Sequence, residues 1–564
     1  MKRIRALSIV VALLAVAPAE LPAQGYIVIR DLVGEDGTSP SSTLVQDSNG
    51  FFYGAAAYGG DHGAGTVFKL DANNNFVVLH HFEYTDGSEP QGRLVLGQDG
   101  YLYGTADRGG ADDAGTLYRL DTDGNNFTVL HDFDVYAYLR HRCLVQDSTG
   151  TLYGTNPWVA SDAYRVDADG SNYSVIHAFS GSIPYGLTLA SDGFLYGVTA
   201  DSLESVFRLA TDGSDFETLH TFTDADEGEG PLGPLIEGSD GFLYGTAVIG
   251  GQYSLGTAFK LRKDGSSFQV IHDFQTSDGT FPQVALTQVA GGLLYGVANA
   301  GGAGGGTVFR MTTSGGLFDS VHDFEAISGD DPRGAVLQGL DGSLYGTTES
   351  GGTGGVFGGV VYRLSIPTIA SLSPSSGPAG GGTLVTISGS GFQSGASVTI
   401  GGSLAGAVIG PGEITASSPP LSAGSLNDVL VTNPDATLAL DEKAWLADFQ
   451  DVPQSDPFHD FVETIVRHGI TAGCGGGNYC GVSFVTRAQM AVFLLKTEHG
   501  SAYVPPQCAG LFGDVACPSQ FADWIEQLAA ENITAGCGGG KYCPTDPNTR
   551  GQMAVFLQKT FSLQ

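Results

Sequence analysis

Apolar and polar residues alternate in short runs that recur about every fifty residues through most of the chain. Each copy contains a Leu-Tyr-Gly strand, a Val-Phe-Arg-Leu-type strand, an Asp-x-Asp-Gly-type turn and a Val-Leu-His-Asp-Phe-type strand. A fourth short strand precedes Leu-Tyr-Gly. Four short strands in a period of about 40–50 residues predict one β-propeller blade per copy, and therefore a mainly β fold. The repeated tyrosines are Tyr53, Tyr103, Tyr153, Tyr196, Tyr244, Tyr295 and Tyr345.

The phase of the repeat predicts a closed ring of seven blades. Residues 26–32 form an extra copy of the last strand, and the seventh repeat ends at Leu364 without one. The N-terminal strand can therefore complete the seventh blade, which removes exposed sheet edges. A β-solenoid is the alternative fold for such a repeat, but it does not explain this phase shift.

One position of the last strand holds histidine in six copies and Arg30 in the seventh. Chemistry needs one asymmetric site, so a residue repeated in every blade predicts structural hydrogen bonding. The tyrosine of Leu-Tyr-Gly is expected to fill the interface between blades. The repeated histidines are His80, His131, His177, His220, His272 and His322.

The composition narrows the class of protein. The 564 residues include 85 glycines, and the formal net charge is −35. Most of that charge lies in the repeats, where 43 acidic residues face 15 basic ones over 26–364, a net charge of −28. Such acidity argues against nucleic acid as a partner, because that binding relies on Lys and Arg. The length predicts two to four domains.

The recurring pattern Asp-Gly-x-Leu-Tyr-Gly-Thr, Gly-Gly, Gly-Thr-Val-Phe-x-Leu is most complete at 99–120. It resembles the Gloeobacter/Verrucomicrobia-type (GloVer) tandem repeat family over about 26–364. The resemblance implies an extracellular repeat domain of a secreted bacterial protein and no established activity.

The N-terminus predicts secretion. Lys2, Arg3 and Arg5 precede a short apolar run, 6–17, and small residues follow it, so 1–23 is predicted to be a signal peptide. A buried N-terminal helix is the alternative. No other run reaches 18 apolar residues, so no transmembrane segment is expected.

The repeats differ most in the third and fourth copies, which lose the Gly-Gly loop. The third copy also carries a dense basic and aromatic cluster, a composition typical of recognition surfaces. We hypothesise a glycan or protein contact at this propeller rim. The alternative is that these loops have diverged in sequence and that the charged residues form a solvated cluster. The candidate residues are Tyr136, Tyr138, Arg140, His141, Arg142 and Trp158.

No catalytic motif stands out in a suitable context, and no catalytic residue is nominated. Asp121 and Asp123, like Asp167 and Asp169, resemble the start of a calcium loop but lack its distal Glu. Asp and Gly also suit a tight hairpin, so a hairpin turn is favoured over weak Ca²⁺ binding. No other cofactor and no metal site are expected.

Residues 366–446 lose the repeat and become rich in Ser, Gly and Pro. Ile369-Ala-Ser-Leu-Ser-Pro, then Gly380-Gly-Gly-Thr, Val385-Thr-Ile and Gly391-Phe resemble an IPT/TIG domain. The resemblance implies an immunoglobulin-like β-sandwich, a fold that commonly serves as a spacer or binding unit.

A 63-residue duplication follows, in which Phe449-Gln-Asp-Val matches Phe512-Gly-Asp-Val. Apolar residues at helical spacing precede an Ile-Thr turn in both copies, and a Thr-Arg pair then caps and opens a helix. The duplication resembles S-layer homology repeats, which bind cell-wall polysaccharide. The resemblance implies ligand contacts, with bracing of the loop by Arg as the alternative; the residues are Thr486, Arg487, Thr549 and Arg550.

Secretion permits disulfides, and six of the seven cysteines lie in the duplication. Two pairs occupy equivalent loops, so each is expected to close its own loop, and the two cysteines without counterparts are expected to pair with each other. A zinc site is the alternative, although the spacing is wide for one. Cys143 is left over and is expected to be buried in a strand. The expected pairs are Cys474–Cys480, Cys537–Cys543 and Cys508–Cys517.

The sequence thus predicts a signal peptide at 1–23, a seven-bladed propeller at 24–365, an immunoglobulin-like sandwich at 366–446 and a small helical module at 447–564. The predicted function is a secreted bacterial cell-surface scaffold or adhesion-type binding protein, whose C-terminal module binds cell-envelope polysaccharide. The alternative is an extracellular polysaccharide-active hydrolase or lyase with its site in the propeller.

Overall fold

A computed structural model describes residues 25–73, 75–134, 143–156, 161–200, 203–410, 412–481, 484–499, 503–531 and 539–549. The predicted signal peptide lies outside these residues. Within them, no helix combines the length and the apolar character needed to cross a bilayer.

Seven four-stranded antiparallel sheets form the seven blades of a β-propeller, as the repeat predicts. The N-terminal strand is β1 (Tyr26–Asp31). Blades 1 to 3 contain β2 (Val45–Gln46), β3 (Phe52–Ala56), β4 (Thr66–Leu70), β5 (Phe76–His81); β6 (Val95–Leu96), β7 (Tyr101–Ala106), β8 (Thr116–Asp121), β9 (Thr128–Asp132); β10 (Leu144–Gln146), β11 (Leu152–Asn156), β12 (Asp162–Val166) and β13 (Ser174–Ala178). Blades 4 to 6 contain β14 (Ile183–Leu189), β15 (Phe194–Ala200), β16 (Ser205–Ala210), β17 (Phe216–Thr221); β18 (Ile236–Glu237), β19 (Phe242–Ala247), β20 (Thr257–Arg262), β21 (Gln269–Asp273); β22 (Thr287–Gln288), β23 (Leu294–Ala298), β24 (Thr307–Met311) and β25 (Phe318–Asp323). Blade 7 contains β26 (Leu337–Gln338), β27 (Leu344–Thr348), β28 (Val360–Leu364) and β1.

The N-terminal strand closes the ring. β1 pairs antiparallel with β28, so that Tyr26 faces Leu364 across the ladder. Blade 7 also reaches blade 1, because the backbone N–H of Leu340 donates to Gln46 Oε1 at 2.9 Å. This pairing confirms the prediction, made from the phase of the repeat, that the ring is closed. The outer strand of blade 7 is β1.

The repeated histidines join neighbouring blades. The His272 ring stacks on Phe318 of the next blade at 3.6 Å with an interplanar angle of 2°. Its Nε2 lies 3.1 Å from Asp278 Oδ2, and burial lowers the pKa of this histidine. The other five histidines stack in the same way, and Arg30 lies over the ring of Phe76. The repeated position is therefore structural.

The tyrosine of Leu-Tyr-Gly is buried in every blade. In six blades its hydroxyl donates to an aspartate of the turn before its own strand, as Tyr103 does to Asp99 at 2.6 Å. Burial, followed by that carboxylate, raises the pKa of Tyr103 to about 12. Blade 6 departs from this pattern, since Gly291 occupies the aspartate's place and the Tyr295 hydroxyl therefore lacks that carboxylate.

A second β region follows the propeller. Its ladders divide into two groups that β33 joins, because β33 pairs with β32 through its first half and with β34 through its second. Buried apolar residues such as Val385, Ile414 and Trp445 form its core. The strands are β29 (Thr368–Ser373), β30 (Ser376–Gly377), β31 (Leu384–Ser390), β32 (Ser397–Ile400), β33 (Ser403–Ile409), β34 (Glu413–Ser417), β35 (Leu426–Thr432) and β36 (Leu438–Ala447).

β36 docks on blade 6 where the repeat is broken. The N–H of Glu442 donates to Gly291 O at 3.0 Å, and Thr313 Oγ1 donates to Glu442 Oε2 at 2.9 Å. A Cβ on Gly291 would collide with the carbonyl oxygen of Leu440. Loss of the aspartate in this one blade thus makes room for the neighbouring region.

The C-terminal region contains the three α-helices of the described chain: α1 (His459–Arg467), α2 (Arg487–His499) and α3 (Ala522–Ala530). The strands β37 (Phe484–Thr486) and β38 (Pro547–Thr549) come from equivalent places in the two copies and pair antiparallel. Disulfides join Cys474 to Cys480 and Cys508 to Cys517. Cys543 is also disulfide-bonded, whereas Cys537 lies outside the described residues.

Candidate functional site

The innermost strands of the blades enclose a cavity of about 890 Å³ at the centre of the ring. Side chains alternate along a strand, so every second residue of these segments faces the same way. We use the name tunnel for this cavity. In each copy, one position of the innermost segment comes just before a buried apolar residue. In six of the seven copies the residue at this position lines the tunnel: Thr43, Arg93, Cys143, Pro234, Ala285 and Ala335.

Two of the three charged side chains that line the tunnel are paired. Arg333 Nη2 lies 2.9 Å from Asp331 Oδ2, and its Nε lies 2.5 Å from Glu349 Oε2. Glu237 accepts from Lys263 at 2.5 Å, and Ser191 also donates to it. Neither charge is therefore left without a counter-ion.

Arg93 is the exception. Its side chain is exposed to the cavity, yet the surrounding protein desolvates the guanidinium and lowers its pKa. In the part of the chain that the structure describes, no carboxylate pairs with it and no group accepts from it. A guanidinium with five donors and no acceptor within the protein can bind an anion from solution.

Two buried polar side chains beside the tunnel also lack hydrogen-bond partners among the described residues. Gln91 is 2% exposed, and neither its amide nitrogen nor its amide oxygen is hydrogen-bonded. Ser41 is 3% exposed, and its hydroxyl has no partner. Both residues line the cavity. Their polar atoms have almost no accessible surface, so a molecule in the tunnel would not contact them directly.

Cys143 lines the same cavity and is a free thiol. It lies one residue before β10 and is only half-buried, so the expectation of a residue buried within a strand is wrong. The reason is its place in the layer that faces the tunnel. Burial by protein atoms nonetheless raises the pKa of the thiol.

The residues of the predicted rim contact, 136–142 and Trp158, lie outside the described part of the chain. The hypothesis that they bind a glycan or a protein therefore stays a prediction. The aspartate-rich turns are described: Asp121 Oδ1 accepts from the N–H groups of Asp123 and Asn125, and Asp169 Oδ1 accepts from that of Ser171. These contacts are those of a hairpin turn, and the described residues hold no group of three or more His, Cys, Asp or Glu placed for a metal ion.

In the C-terminal region, Thr486 caps α2. Its hydroxyl accepts from the N–H of Gln489 at 3.2 Å, and the Gln489 side chain accepts from the Thr486 N–H at 3.0 Å. This reciprocal pair is a capping box, which stabilises a helix N-terminus. The N–H and the hydroxyl of Thr486 are therefore both used in capping α2.

Arg487 reaches from the first copy into the second. Its Nε donates to Tyr542 O at 3.0 Å, and its guanidinium lies 5.0 Å from the centre of the Tyr542 ring. Its two Nη groups have no partner among the described residues. The side chain of Thr549 and the whole of Arg550 lie outside the described residues.

Sequence reasoning missed the tunnel site. The predicted contact was a basic and aromatic cluster at the rim, whereas the unpaired charge is a single arginine two residues before β6. The signal was present in the alignment of the copies, because Arg93 occupies a position held by small or apolar residues in five of the other blades.

The seven blades and the helical C-terminal region define the class as a propeller repeat protein with a small helical module. The Gloeobacter/Verrucomicrobia repeat model matches 19–205 and 183–408, more than half of the chain, so the chain belongs to that family. The S-layer homology domain model matches 448–491, the first copy of the duplication. The S-layer homology match indicates a protein anchored at the cell surface.

Among curated proteins, none matches this chain. One similar solved structure is a catalytically inactive virginiamycin B lyase from Staphylococcus aureus with quinupristin, at 17% identity and a TM-score of 0.45, covering 60% of this chain and 100% of that one. Another is a putative 6-phosphogluconolactonase from Bacteroides uniformis, at 16% identity and a TM-score of 0.37, covering 52% and 86%. Similarity at this level carries no functional information.

Proposed function

We propose that this protein is a secreted, cell-surface binding scaffold that displays its propeller through the second β region. The observation that carries the proposal is the order of the parts: a match to an S-layer homology domain at 448–491 follows a propeller and a β region that share a hydrophobic core cluster. We also propose that 1–23 directs secretion and that 366–446 is an IPT/TIG-type immunoglobulin-like spacer. The shared β33 and the single core between the two groups of ladders support the latter.

Docking at both ends of the second β region supports a display role. At one end, β36 binds blade 6 through Gly291 and Glu442. At the other end, α1 binds the segment just before β30 through Arg467, whose Nη2 donates to Ser375 O at 2.6 Å. Glu463 accepts from the hydroxyls of Ser375 and Ser376. These contacts hold the propeller at a set distance from the C-terminal module.

The C-terminal module is proposed to bind cell-envelope polysaccharide through Arg487, together with Arg550 of the second copy. Arg487 keeps both Nη groups available while Tyr542 holds its Nε, so the fork is oriented before a ligand arrives. A carboxylated or phosphorylated glycan suits such a fork because the two can bind through paired hydrogen bonds. Thr486 contributes by fixing the start of α2 rather than by contacting the ligand.

Binding is favoured over turnover in the propeller. Hydrolysis or elimination of a glycan commonly uses two ionisable groups in unequal environments. Of the described residues that line the tunnel, the one carboxylate is Glu237, and Lys263 and Ser191 occupy it. The polysaccharide-active enzyme therefore remains the weaker proposal.

The test is co-sedimentation of the full chain with purified cell-envelope polysaccharide. We expect the wild-type protein to pellet with the polysaccharide and Arg487→Gln to lose most of this retention, while Lys443→Gln, which removes an exposed cation of the second β region, retains it. Thermal melting of each variant separates loss of binding from loss of fold. Equal retention of the Arg487→Gln and wild-type proteins would overturn the assignment of Arg487.

A further inference from the structure

We propose that the propeller binds a basic polypeptide segment that carries an apolar side chain, on the face opposite the second β region. The binding surface is an apolar patch at blades 5 and 6 formed by Ile249, Tyr253 and Phe281, with the carboxylates of Asp226 and Glu229 in the adjoining loop. We use the name distal patch for these five residues. The proposal rests on the proposed scaffold function only for the display of the propeller to other proteins.

The distal patch lies at the end of the blades that β36 leaves uncovered. β36 contacts blade 6 at two turns, at Gly291 between β22 and β23 and at Thr313 between β24 and β25. Neighbouring strands of each blade run antiparallel, so the loop between the two central strands and the loop that leads into the next blade lie at the opposite end. The residues of the distal patch all lie in loops of this second kind, at 222–235, 248–256 and 274–286.

Main-chain hydrogen bonds hold these three loops side by side. The N–H of Glu229 donates to Ile249 O at 2.8 Å, and the N–H of Ile249 donates back to Glu229 O at 3.1 Å. The N–H of Phe281 donates to Leu255 O at 3.2 Å, which joins the loop of blade 5 to the start of blade 6. The patch is therefore built on a fixed backbone, and a partner that binds there has little loop ordering to offset.

The apolar side chains of the patch are exposed together. Ile249 is 41% exposed, Tyr253 46% and Phe281 37%. A single exposed apolar residue is ordinary, whereas a group of them on adjoining loops is typical of an interaction surface. The repeat has other residue types at two of these places. The position of Tyr253 holds His62, Asp112, Gly304 and Gly354 in other blades, and that of Phe281 holds Ser39, Glu89, Gly230 and Asp331.

Phe281 also has an unusual backbone conformation. Its φ is +60°, in the left-handed region that a bulky side chain rarely adopts. Ser39, Glu89 and Asp331 have the same conformation at the equivalent position, with φ between +55° and +58°, but they carry small or polar side chains. The Phe281 ring is only partly buried, so packing within the propeller does not use all of it. A strained position that presents an apolar ring to solvent supports a role in binding.

The charge around the patch indicates the kind of partner. The three loops contain five acidic residues and no Lys, Arg or His. Asp226 and Glu229 are exposed, and no cation pairs with either of them within the described chain. Such a surface attracts cations and repels anionic glycans, and aromatic rings bind cations through their faces. A basic segment with an apolar side chain matches both the carboxylates and the apolar group, whereas a neutral glycan would gain nothing from the charge.

The experiment is isothermal titration of the full chain with four probes. Three are hexapeptides with blocked ends, Lys-Lys-Leu-Phe-Lys-Lys, Lys-Lys-Ser-Ser-Lys-Lys and Glu-Glu-Leu-Phe-Glu-Glu, and the fourth is the neutral glycan cellohexaose. We expect the basic apolar peptide to bind about tenfold or more tightly than each of the other three. Its affinity should fall as NaCl is raised from about 50 mM to about 500 mM, because the carboxylates are exposed to solvent and are screened.

Removal of the two rings tests the apolar part of the patch. Tyr253→Ser combined with Phe281→Gly should weaken binding of the basic apolar peptide about tenfold, since exposed aromatic anchors dominate such contacts. Glycine is unstrained at a φ of +60°, so the fold should be kept. The matched control is Tyr84→Ser, which removes a tyrosine that is 61% exposed on the same face at blades 1 and 2 and should leave the affinity unchanged.

Removal of the two carboxylates tests the charged part independently. Asp226→Asn combined with Glu229→Gln should weaken binding of the same peptide about threefold and flatten its dependence on NaCl. Glu35→Gln is the control, because Glu35 is an exposed carboxylate on the same face where blade 7 meets blade 1. Both changes are at exposed side chains, so this pair of variants still tests the patch if the ring variant fails to fold.

Several results would overturn the proposal. These are no binding of the basic apolar peptide up to about 1 mM, equal or tighter binding of any other probe, an affinity that does not depend on NaCl, or unchanged affinity in either folded double variant. Retention on cell-envelope polysaccharide should be the same for both double variants and the wild type. Failure of the distal patch and failure of the anchor are therefore distinguishable.

Discussion

Blade 6 and blade 2 both depart from the repeat, and the two departures have different explanations. In blade 6 the missing aspartate leaves Gly291, and β36 fills the space with a main-chain hydrogen bond and the Leu440 carbonyl. In blade 2 the added Arg93 meets no partner in the described chain. A departure that the chain itself satisfies is structural, whereas one that it leaves unsatisfied is a candidate for binding. The presence or absence of a partner within the chain distinguishes the departure in blade 6 from that in blade 2 more clearly than sequence variation alone does.

The largest effect should come from restoring a side chain at the docked turn. Gly291 has a φ of +90° and contacts the Leu440 carbonyl, so Gly291→Ala adds a steric clash to backbone strain. We expect a loss of about 3 kcal/mol or more in docking, measured as faster limited proteolysis at 365–367 and a lower urea midpoint. Gly241→Ala is the matched control, because Gly241 in blade 5 has a φ of +79° with nothing within 4 Å of its added Cβ. It should cost only about 1 kcal/mol. Equal costs would remove the steric explanation.

The second effect concerns how α1 docks on the end of β36. His459 is buried and its Nε2 lies 3.0 Å from Asp448 Oδ1; that hydrogen bond, opposed by desolvation, raises the pKa of His459 to about 9. A folded-state pKa above the unfolded value of 6.5 gives stability that is complete below pH 6.5 and is lost as the pH rises to 9. We expect a loss of about 2–3 kcal/mol across that window in urea unfolding. His459→Gln should flatten the profile, whereas His468→Gln, at the exposed end of the same helix, should leave it unchanged. A flat wild-type profile would contradict the assignment.

A smaller effect should follow from breaking one stack between blades. His272→Gln removes the ring that lies on Phe318 but keeps a side chain able to bond Asp278. We expect a loss of about 1 kcal/mol in the free energy of unfolding, since an aromatic pair contributes about 0.5–1.5 kcal/mol. His62→Gln, at an exposed histidine of blade 1, should cost less than about 0.5 kcal/mol. If the two variants are equally stable, the stacks do not hold the blades together.

The propeller could be predicted from the sequence because every blade carries the same pattern of strand and turn residues. The spacing of Leu-Tyr-Gly predicted seven blades, and the extra strand at 26–32 predicted the pairing of β1 with β28. The docking at Gly291 could not be predicted, since a glycine in place of an aspartate does not reveal which distant residue approaches it. Arg93 was missed for a related reason: only the closed ring shows that this position faces one cavity in six of the seven copies.

The smallest effect on the free energy of unfolding should come from replacing Arg93. This variant tests most directly whether the departures from the repeat in blades 2 and 6 have different explanations. An unpaired guanidinium contributes no ion pair to the fold, so Arg93→Gln should change the free energy of unfolding by less than about 0.5 kcal/mol or increase it. Arg310 in blade 6 is the matched case, because it is buried and its Nη2 donates to Asp319 at 2.7 Å and to Ala436 O at 3.2 Å. Arg310→Gln should cost about 2 kcal/mol or more, as it breaks contacts within the propeller and to the second β region. Urea unfolding of both variants in the absence of any ligand makes the measurement. A loss of 2 kcal/mol or more for Arg93→Gln would mean that Arg93 serves the fold, and the distinction between the two blades would disappear.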